Sequence, residues 1–287
     1  MDVIEIAALE RSEPVTQFAA DPCGGRLRQL PEPGLLAQRL DIAHSQATHE
    51  RADHQCVVIA HAVHETGRRE IIGLDVGAAE TEAFWREFLR SLVARGLVGV
   101  ELAISDSHPG LKAALAQVLG APWQRCTVHS LRDLRGHVRR DQHDALGAII
   151  RSLFAAENAE QARERLRDAV EQLERRLPKI AALLEDAEPD VLAFYAFPAE
   201  HWPKIRSTNP LERFNREIAR RTDVVGIFPD DASLIRLVSM LAIEANDEWL
   251  VGRSYISQKS MATLRDDVVE KDLSLDNNDK EVELIAA

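Results

Sequence analysis

The sequence predicts an α/β protein in which a mixed β-sheet is flanked by helices and followed by a long helical region. Short β-branched runs alternate with amphipathic helical stretches up to His129. From residue 130 to about residue 200, Ala, Leu, Arg and Glu dominate and no strand pattern appears. The chain has 287 residues, of which 45% are hydrophobic, enough to build a sizeable core.

The strand-rich part predicts its elements in a definite order. Residues 56–63 and 70–76 are β-branched apolar runs on either side of a Glu-Thr-Gly turn, which favours a hairpin. A weaker short strand is expected over residues 39–44. The remaining elements are a helix over 79–95, a strand over 99–105, a helix over 108–119 and a strand over 123–128.

Three antiparallel strands followed by helix-separated parallel strands are the layout of a ribonuclease-H-like sheet, although other mixed α/β folds share parts of it. We therefore predict this core over residues 37–129. A helical insertion is predicted over residues 130–205, and C-terminal helices that complete the core over 206–264. Residues 1–36, rich in Pro and Gly, are expected to form an irregular arm, and residues 265–287 an acidic disordered tail.

The composition excludes several classes of protein. No stretch approaches the roughly 18 consecutive apolar residues of a membrane helix. The acidic residues 1–5 lack the basic region of a secretory signal. Three widely spaced cysteines make a disulfide framework improbable on spacing alone and fit a reducing cytoplasm.

Charge placement matters more than the net charge of −12, which by itself argues against a nucleic-acid partner. Six basic residues and two acidic ones lie between Lys204 and Arg221, and four arginines and one aspartate lie between Arg132 and Arg140. Each cluster fits either a solvated helix face or a phosphate-binding surface.

Two carboxylates are candidates for chemistry. Asp106 follows the strand over 99–105, at the edge where open α/β sheets place their sites, but it also precedes a helix and would suit a helix cap. Glu212 lies in the first turn of a helix that begins at Thr208, where the helix dipole favours a carboxylate in any case. Capping does not explain the Arg-rich helix behind Glu212, which suits phosphoryl transfer on nucleic acid.

Cys126 and His129 form a Cys-x-x-His unit at the end of a strand. Zinc binding would need two further ligands, and none lies at a sensible spacing, so a packed Cys and His at a strand–helix junction is the better interpretation. The sequence contains no glycine-rich phosphate loop and no nucleophile elbow.

Several stretches, in order along the chain, resemble the Mutator-type (IS256-like) transposases of bacterial insertion sequences. The resemblance runs from about Val57 to Leu264. The stretches are ISDSHPGLK (104–112), WQRCTVH (123–129), RSTNPLER (206–213), RTDVVGIFP (221–229), EWL (248–250) and RSY (253–255).

The resemblance implies a catalytic Asp-Asp-Glu triad on a ribonuclease-H-like domain, with two Mg²⁺ (or Mn²⁺) ions as cofactors. Asp106 matches the second Asp and Glu212 the Glu, while Cys126 and His129 match a signature that organises the site. The DNA-binding residues implied are Asn209, Arg213, Arg216, Arg220 and Arg221.

The first Asp of the triad has one candidate, Asp41. The family pattern places Tyr, Lys and Arg after this Asp, whereas His44, Gln46 and Thr48 stand here. Residues 1–39 do not resemble the family's N-terminal DNA-binding region, so we expect a truncated or degenerate copy.

The resemblance implies an active transposase that cleaves and joins DNA strands, or an inactive relic that at most binds DNA or a full-length partner. A generic ribonuclease-H-like nuclease is a third hypothesis, and the family motifs argue against it. The partners implied are transposon ends and target DNA, with the chain in at least a dimer, without a membrane or small-molecule substrate. The expected location is the bacterial cytoplasm, at the nucleoid.

Overall fold

A computed structural model of the chain describes residues 2–10, 56–77, 80–225 and 228–263. The expected strand over 39–44, the candidate Asp41 and the predicted tail 265–287 lie outside these residues. Within them, five strands form one sheet in the order β3-β2-β1-β4-β5. The strands are β1 (Asp2–Glu10), β2 (Cys56–Val63), β3 (Arg69–Gly77), β4 (Val100–Ser105) and β5 (Trp123–Arg125).

The centre of the sheet is β1, and the prediction of an irregular arm was wrong for residues 2–10. This strand pairs antiparallel with β2, with Ile6 opposite Ala60, and parallel with β4, with Ile6 beside Ser105. The physical reason is local. The segment contains β-branched residues and no chain breaker, because the first proline is Pro14.

The β2–β3 hairpin is confirmed. Its tight turn contains Gly67, whose φ of 76° is the left-handed conformation that glycine adopts without steric cost. The backbone N–H of Ile256 donates to the carbonyl of Gly67 at 2.9 Å, so the C-terminal segment docks on this turn.

Helical segments surround or extend the sheet in the described part of the chain, and the last of them covers residues 258–263. They include two 3₁₀ turns, Arg140–Gln142 and Ala193–Ala196. The α-helices are α1 (Glu82–Ala94), α2 (Pro109–Val118), α3 (Thr127–Gly136), α4 (His143–Leu153), α5 (Ala159–Glu174), α6 (Pro178–Asp186), α7 (Glu188–Val191), α8 (Trp202–Ile205), α9 (Asn209–Val225) and α10 (Asp231–Val251).

Helices cover both faces of the sheet, which explains why every residue of β2 is buried. Val58 and Ala60 face the core formed with α1 and α2. Val57 and Ile59, the alternate residues, face the core formed with α9 and α10.

The helical region from α3 to α8 has its own core, which is continuous with the sheet through Leu102 and Ile104 of β4. The fully buried Gln124 of β5 also joins the two parts. Its side chain donates to the carbonyl of Val191 at 3.1 Å and accepts from the N–H of Phe194 at 2.8 Å. The absence of strands over 130–200 is confirmed, whereas the strand predicted to reach Val128 ends at Arg125 because α3 begins at Thr127.

Among the described helices, none has the length and apolar character needed to cross a membrane.

Candidate functional site

Asp106 is the first residue after β4, at the C-terminal edge of the sheet. One of its carboxylate oxygens accepts from the N–H of Ser107 at 2.8 Å, and its side chain is 54% exposed. The cap of α2 is His108, whose Nδ1 accepts from the N–H of Leu111 at 3.2 Å. The alternative in which Asp106 caps this helix is therefore wrong, and the Asp106 carboxylate is available for another partner.

Glu212 lies in the first turn of α9, and its N–H donates to the carbonyl of Thr208 at 2.9 Å. Its Oε1 atom is buried and has no hydrogen-bond partner of ordinary geometry. A buried carboxylate oxygen without a donor is costly, so this atom requires an explanation beyond the helix dipole.

His129, on the first turn of α3, brings the two carboxylates together. Its Nε2 lies 3.1 Å from Oε1 of Glu212, and its Nδ1 lies 3.7 Å from Oδ2 of Asp106. Neither contact has the alignment of a good hydrogen bond, since Nδ1 of His129 and Oε1 of Glu212 both lack a partner by that criterion. The structure thus unites Asp106, His129 and Glu212, although residues 107–211 separate the two carboxylates in sequence.

Cys126 holds α9 against the start of α3. Its buried sulfur lies 3.4 Å from both the backbone nitrogen and the hydroxyl oxygen of Thr208, which donate to it. The backbone N–H of Thr127 donates to the carbonyl of Arg206 at 3.0 Å, immediately beside this contact. Because Thr208 begins the turn that carries Glu212, the Cys126–Thr208 contact fixes the position of that carboxylate.

The surroundings of Cys126 and His129 shift their pKa values in opposite directions. Burial raises the pKa of the Cys126 thiol, but interactions with His129 and Thr208 together outweigh burial and lower it. The neighbouring thiol raises the pKa of His129, against an opposing effect of burial, and the carboxylates of Asp106 and Glu212 raise it further.

Zinc binding by Cys126 and His129 gains no support. Among the described residues, Cys126 and His129 are not joined by further His, Cys, Asp or Glu side chains positioned to hold one metal ion with them. The contacts of Cys126 with Thr208, and of His129 with the two carboxylates, account for both residues without zinc.

The predicted DNA-binding residues lie on α9. Its buried side carries Leu211, Phe214 and Ile218, and its four arginines and Asn209 are exposed. The arginines divide into two pairs. Glu217 accepts from Arg220 at 2.7 and 2.9 Å and from Arg221 at 2.8 Å, whereas Arg213 and Arg216 form no ion pair with any described residue.

Two residues of the site region were not predicted from sequence. Thr208 was predicted only as the start of a helix, and its contact with Cys126 joins positions 82 residues apart. Asn215 is buried, with an unpartnered Oδ1 atom, one turn after Glu212. Its spacing from Glu212 was a usable signal, because residues three apart share a helix face.

The pairing of β1 with β4 ends at Ile6 beside Ser105, one residue before Asp106. The sequence candidate for the first Asp, Asp41, lies outside the described residues.

The chain is similar in sequence to a known protein family and to several of its members. The family described as "Transposase, Mutator family" matches residues 41–252. The chain is 40% identical to the transposase for insertion sequence element IS1081 of Mycobacterium tuberculosis over 263 residues, which are 91% of this chain and 62% of that protein.

Other relatives cover a similar region. The transposase for IS406 of Burkholderia multivorans is 43% identical over 70% of this chain and 52% of its own length. The transposase for IS256 in Tn4001 of Staphylococcus aureus is 33% identical over 69% of this chain and 52% of its own length. The chain thus spans between half and two thirds of these relatives. The resemblance stated from sequence is confirmed: this chain belongs to the Mutator family of transposases.

Proposed function

We propose that the chain is the catalytic part of an insertion-sequence transposase, which cleaves DNA strands and joins them to a target in a metal-dependent reaction. The observation that carries this proposal is the convergence of Asp106 and Glu212 on His129. The names of the relatives support the same function.

The fold supports a ribonuclease-H-like domain. The strand order β3-β2-β1-β4-β5, with β1 antiparallel to β2 and parallel to β4, is the arrangement expected for that fold. In this interpretation α3 to α8 form a helical insertion between Asp106 and Glu212. The insertion leaves the sheet after β5 and returns at α9, which explains how distant residues share one edge.

The residues present fit a divalent cation such as Mg²⁺ or Mn²⁺. Mg²⁺ prefers oxygen ligands and is commonly held by one or two carboxylates together with substrate phosphates and water. Asp106 is half exposed, and among the described residues Oε1 of Glu212 has only the misaligned ring of His129 beside it, at 3.1 Å. Two carboxylates suffice for one ion, and the second ion implied by the resemblance needs further ligands, for which Asp41 remains the candidate.

When bound, the cation would activate the attacking water or 3′-hydroxyl and stabilise the leaving oxygen. The chain's own residues orient that chemistry. Asp106 and Glu212 would hold the cation, and Cys126 with Thr208 would keep Glu212 in place. His129, which contacts both carboxylates, would keep them close to each other.

Arg213 and Arg216 are the arginines of α9 best placed to bind DNA phosphates first. They lie within one helical turn of Glu212 and have no ion pair among the described residues. Arginine binds phosphate through paired N–H groups, and this contact does not depend on base sequence. Asn209, exposed at the start of α9, is a further candidate contact. We also expect the working form on DNA to be at least a dimer.

A second candidate is a relic that binds DNA without cleaving it. The residues after Asp41 favour this candidate, because His44, Gln46 and Thr48 stand where the family pattern has Tyr, Lys and Arg. The exposed arginines of α9 would still bind phosphates.

The experiment that tests the proposal is incubation of the purified chain with supercoiled plasmid and Mg²⁺ or Mn²⁺, followed by gel analysis of nicked product. An active transposase domain yields metal-dependent nicks in duplex DNA. Plasmid binding without nicks, measured by mobility shift, supports the relic. Preferential cleavage of an RNA–DNA hybrid supports a generic nuclease.

A further inference from the structure

Asn215 of α9 carries a buried amide oxygen for which the fold supplies no partner. The residue is 8% exposed, and Oδ1 has no hydrogen-bond donor. Leaving such an atom unpaired costs about 1–3 kcal/mol. Buried side-chain oxygens without donors are rare in folded proteins, so this one points to a ligand that binds there.

The spacing of Asn215 from Glu212 places both residues on neighbouring sides of α9. An α-helix turns by about 100° per residue, so the three residues from Glu212 to Asn215 make about 300°. Asn215 therefore lies almost one turn further along α9 and roughly 60° around it from Glu212. The stripe of Leu211, Phe214 and Ile218 packs on β2 and β3. Asn215 therefore lies between that stripe and Glu212, where α9 crosses β1.

Oδ1 of Asn215 has no donor among the described residues, and Oε1 of Glu212 faces Nε2 of His129 at 3.1 Å without the alignment of a hydrogen bond. An amide carbonyl is a normal ligand for hard divalent cations, and it adds no negative charge to the site. An oxygen from Asn215 would add a third ligand to the two carboxylates of Asp106 and Glu212.

We propose that Oδ1 of Asn215 is a ligand of the divalent cation held by Asp106 and Glu212. This inference rests on the proposed function, because it assumes that the two carboxylates bind a cation. It assigns the ligand set Asp106, Glu212 and Asn215 to that ion, with remaining positions open to water and phosphate.

The test measures Mn²⁺ binding to the metal-free chain by electron paramagnetic resonance, which detects free Mn²⁺ directly and needs no DNA cleavage. Asn215→Leu removes the amide oxygen at similar volume, and Asn215→Asp replaces it with a carboxylate. The expected results are an affinity at least about tenfold weaker for Asn215→Leu and a tighter affinity for Asn215→Asp. Glu244→Gln, an exposed change on α10, should leave Mn²⁺ binding unaltered.

Asp106→Asn and Glu212→Gln separate the two claims. If these variants bind Mn²⁺ as tightly as the wild type, the proposed cation site itself fails. If they lose Mn²⁺ but Asn215→Leu and Asn215→Asp both keep the wild-type affinity, only the role of Asn215 is overturned. Thermal melting without metal identifies unfolding in Asn215→Leu, and in that case Asn215→Asp decides: an unchanged Mn²⁺ affinity overturns the inference.

Discussion

The sulfur of Cys126 accepts hydrogen bonds from both the backbone N–H and the hydroxyl of Thr208, each at 3.4 Å. This contact joins the end of the sheet to the first turn of α9, on which Glu212 lies. It gives the Cys-x-x-His unit a defined structural role. Cys126 positions the helix that carries Glu212, and His129 contacts Glu212 and Asp106 directly.

Replacing Cys126 separates the acceptor role of the sulfur from its size. Cys126→Ala leaves two buried donors of Thr208 unpaired, so the free energy of unfolding should fall by about 1–3 kcal/mol. Cys126→Ser keeps an acceptor and should lose less. Urea unfolding of both variants measures the difference. Equal loss in the two variants would show that the Thr208 contact is not what Cys126 contributes.

Glu217 should weaken DNA binding, because it already occupies Arg220 and Arg221. Glu217→Gln releases both guanidinium groups, so DNA affinity should rise several-fold. The slope of log affinity against log salt concentration should also steepen, by the amount expected for about one or two additional phosphate contacts. The two arginines lower the pKa of Glu217 to about 2, so the effect should not vary between pH 5 and pH 8.

Glu244→Gln is the matched control for this prediction, since it makes the same change in net charge on exposed α10. Fluorescence anisotropy with a labelled duplex, at several salt concentrations, measures both variants. An equal rise in affinity for the two variants would mean that net charge, and not the release of Arg220 and Arg221, determines the effect.

Glu70 should destabilise the chain at neutral pH. It borders a cavity of about 270 Å³ on β3, and burial raises its pKa above the ordinary value of 4.5, against a smaller lowering by His64. The folded state then holds the proton of Glu70 more tightly than the unfolded state does. Protonation of Glu70 therefore contributes to the free energy of unfolding fully below pH 4.5, and this contribution is lost as pH rises through the raised pKa.

The corresponding variant is Glu70→Gln, which should raise the melting temperature by a few degrees at pH 7 and leave it nearly unchanged at pH 4. Glu171→Gln, on the exposed side of α5, serves as the control. A Glu70→Gln gain that is constant from pH 4 to pH 8 would contradict the assignment to burial of the charge.

Gly67 and Gly120 form a matched pair for the docking of the C-terminal segment. Both have positive φ, 76° and 62°, but a Cβ at Gly67 would lie 2.0 Å from the carbonyl oxygen of Ile256, whereas one at Gly120 meets nothing within 4 Å. Gly120→Ala should lower the free energy of unfolding by about 1–2 kcal/mol, the cost of holding alanine in the left-handed conformation. Gly67→Ala should cost clearly more in urea unfolding; equal losses would show that the segment does not pack on this turn.

The sheet elements that sequence predicted are those whose own residues determine them. β2 and β3 are β-branched runs bounded by a Gly turn, and burial on both faces leaves few other conformations for them. The strand Asp2–Glu10 was missed because the breakers that follow it, starting at Pro14, dominate the character of residues 1–36. Its pairing with β4 depends on contacts about a hundred residues away, which no local pattern records.

Asp106, His129 and Glu212 were named from sequence motifs, but their proximity was not visible there, because capping explained each carboxylate equally well. Tertiary structure adds that His108 is the cap of α2 and that both carboxylates lie beside His129. The partnership of Cys126 with Thr208 depends on the return of the chain after α8.

The central claim is that Asp106 and Glu212 form one metal-dependent site for cutting DNA. The most direct measurement is the rate of Mn²⁺-dependent nicking of supercoiled plasmid by the wild type, Glu212→Gln and the exposed control Glu244→Gln. We expect Glu212→Gln to lower the rate by about a hundredfold or more, since misplacing catalytic groups costs that much, while Glu244→Gln keeps it. A folded wild-type chain that does not nick DNA, or a Glu212→Gln variant as fast as the control, would contradict this account.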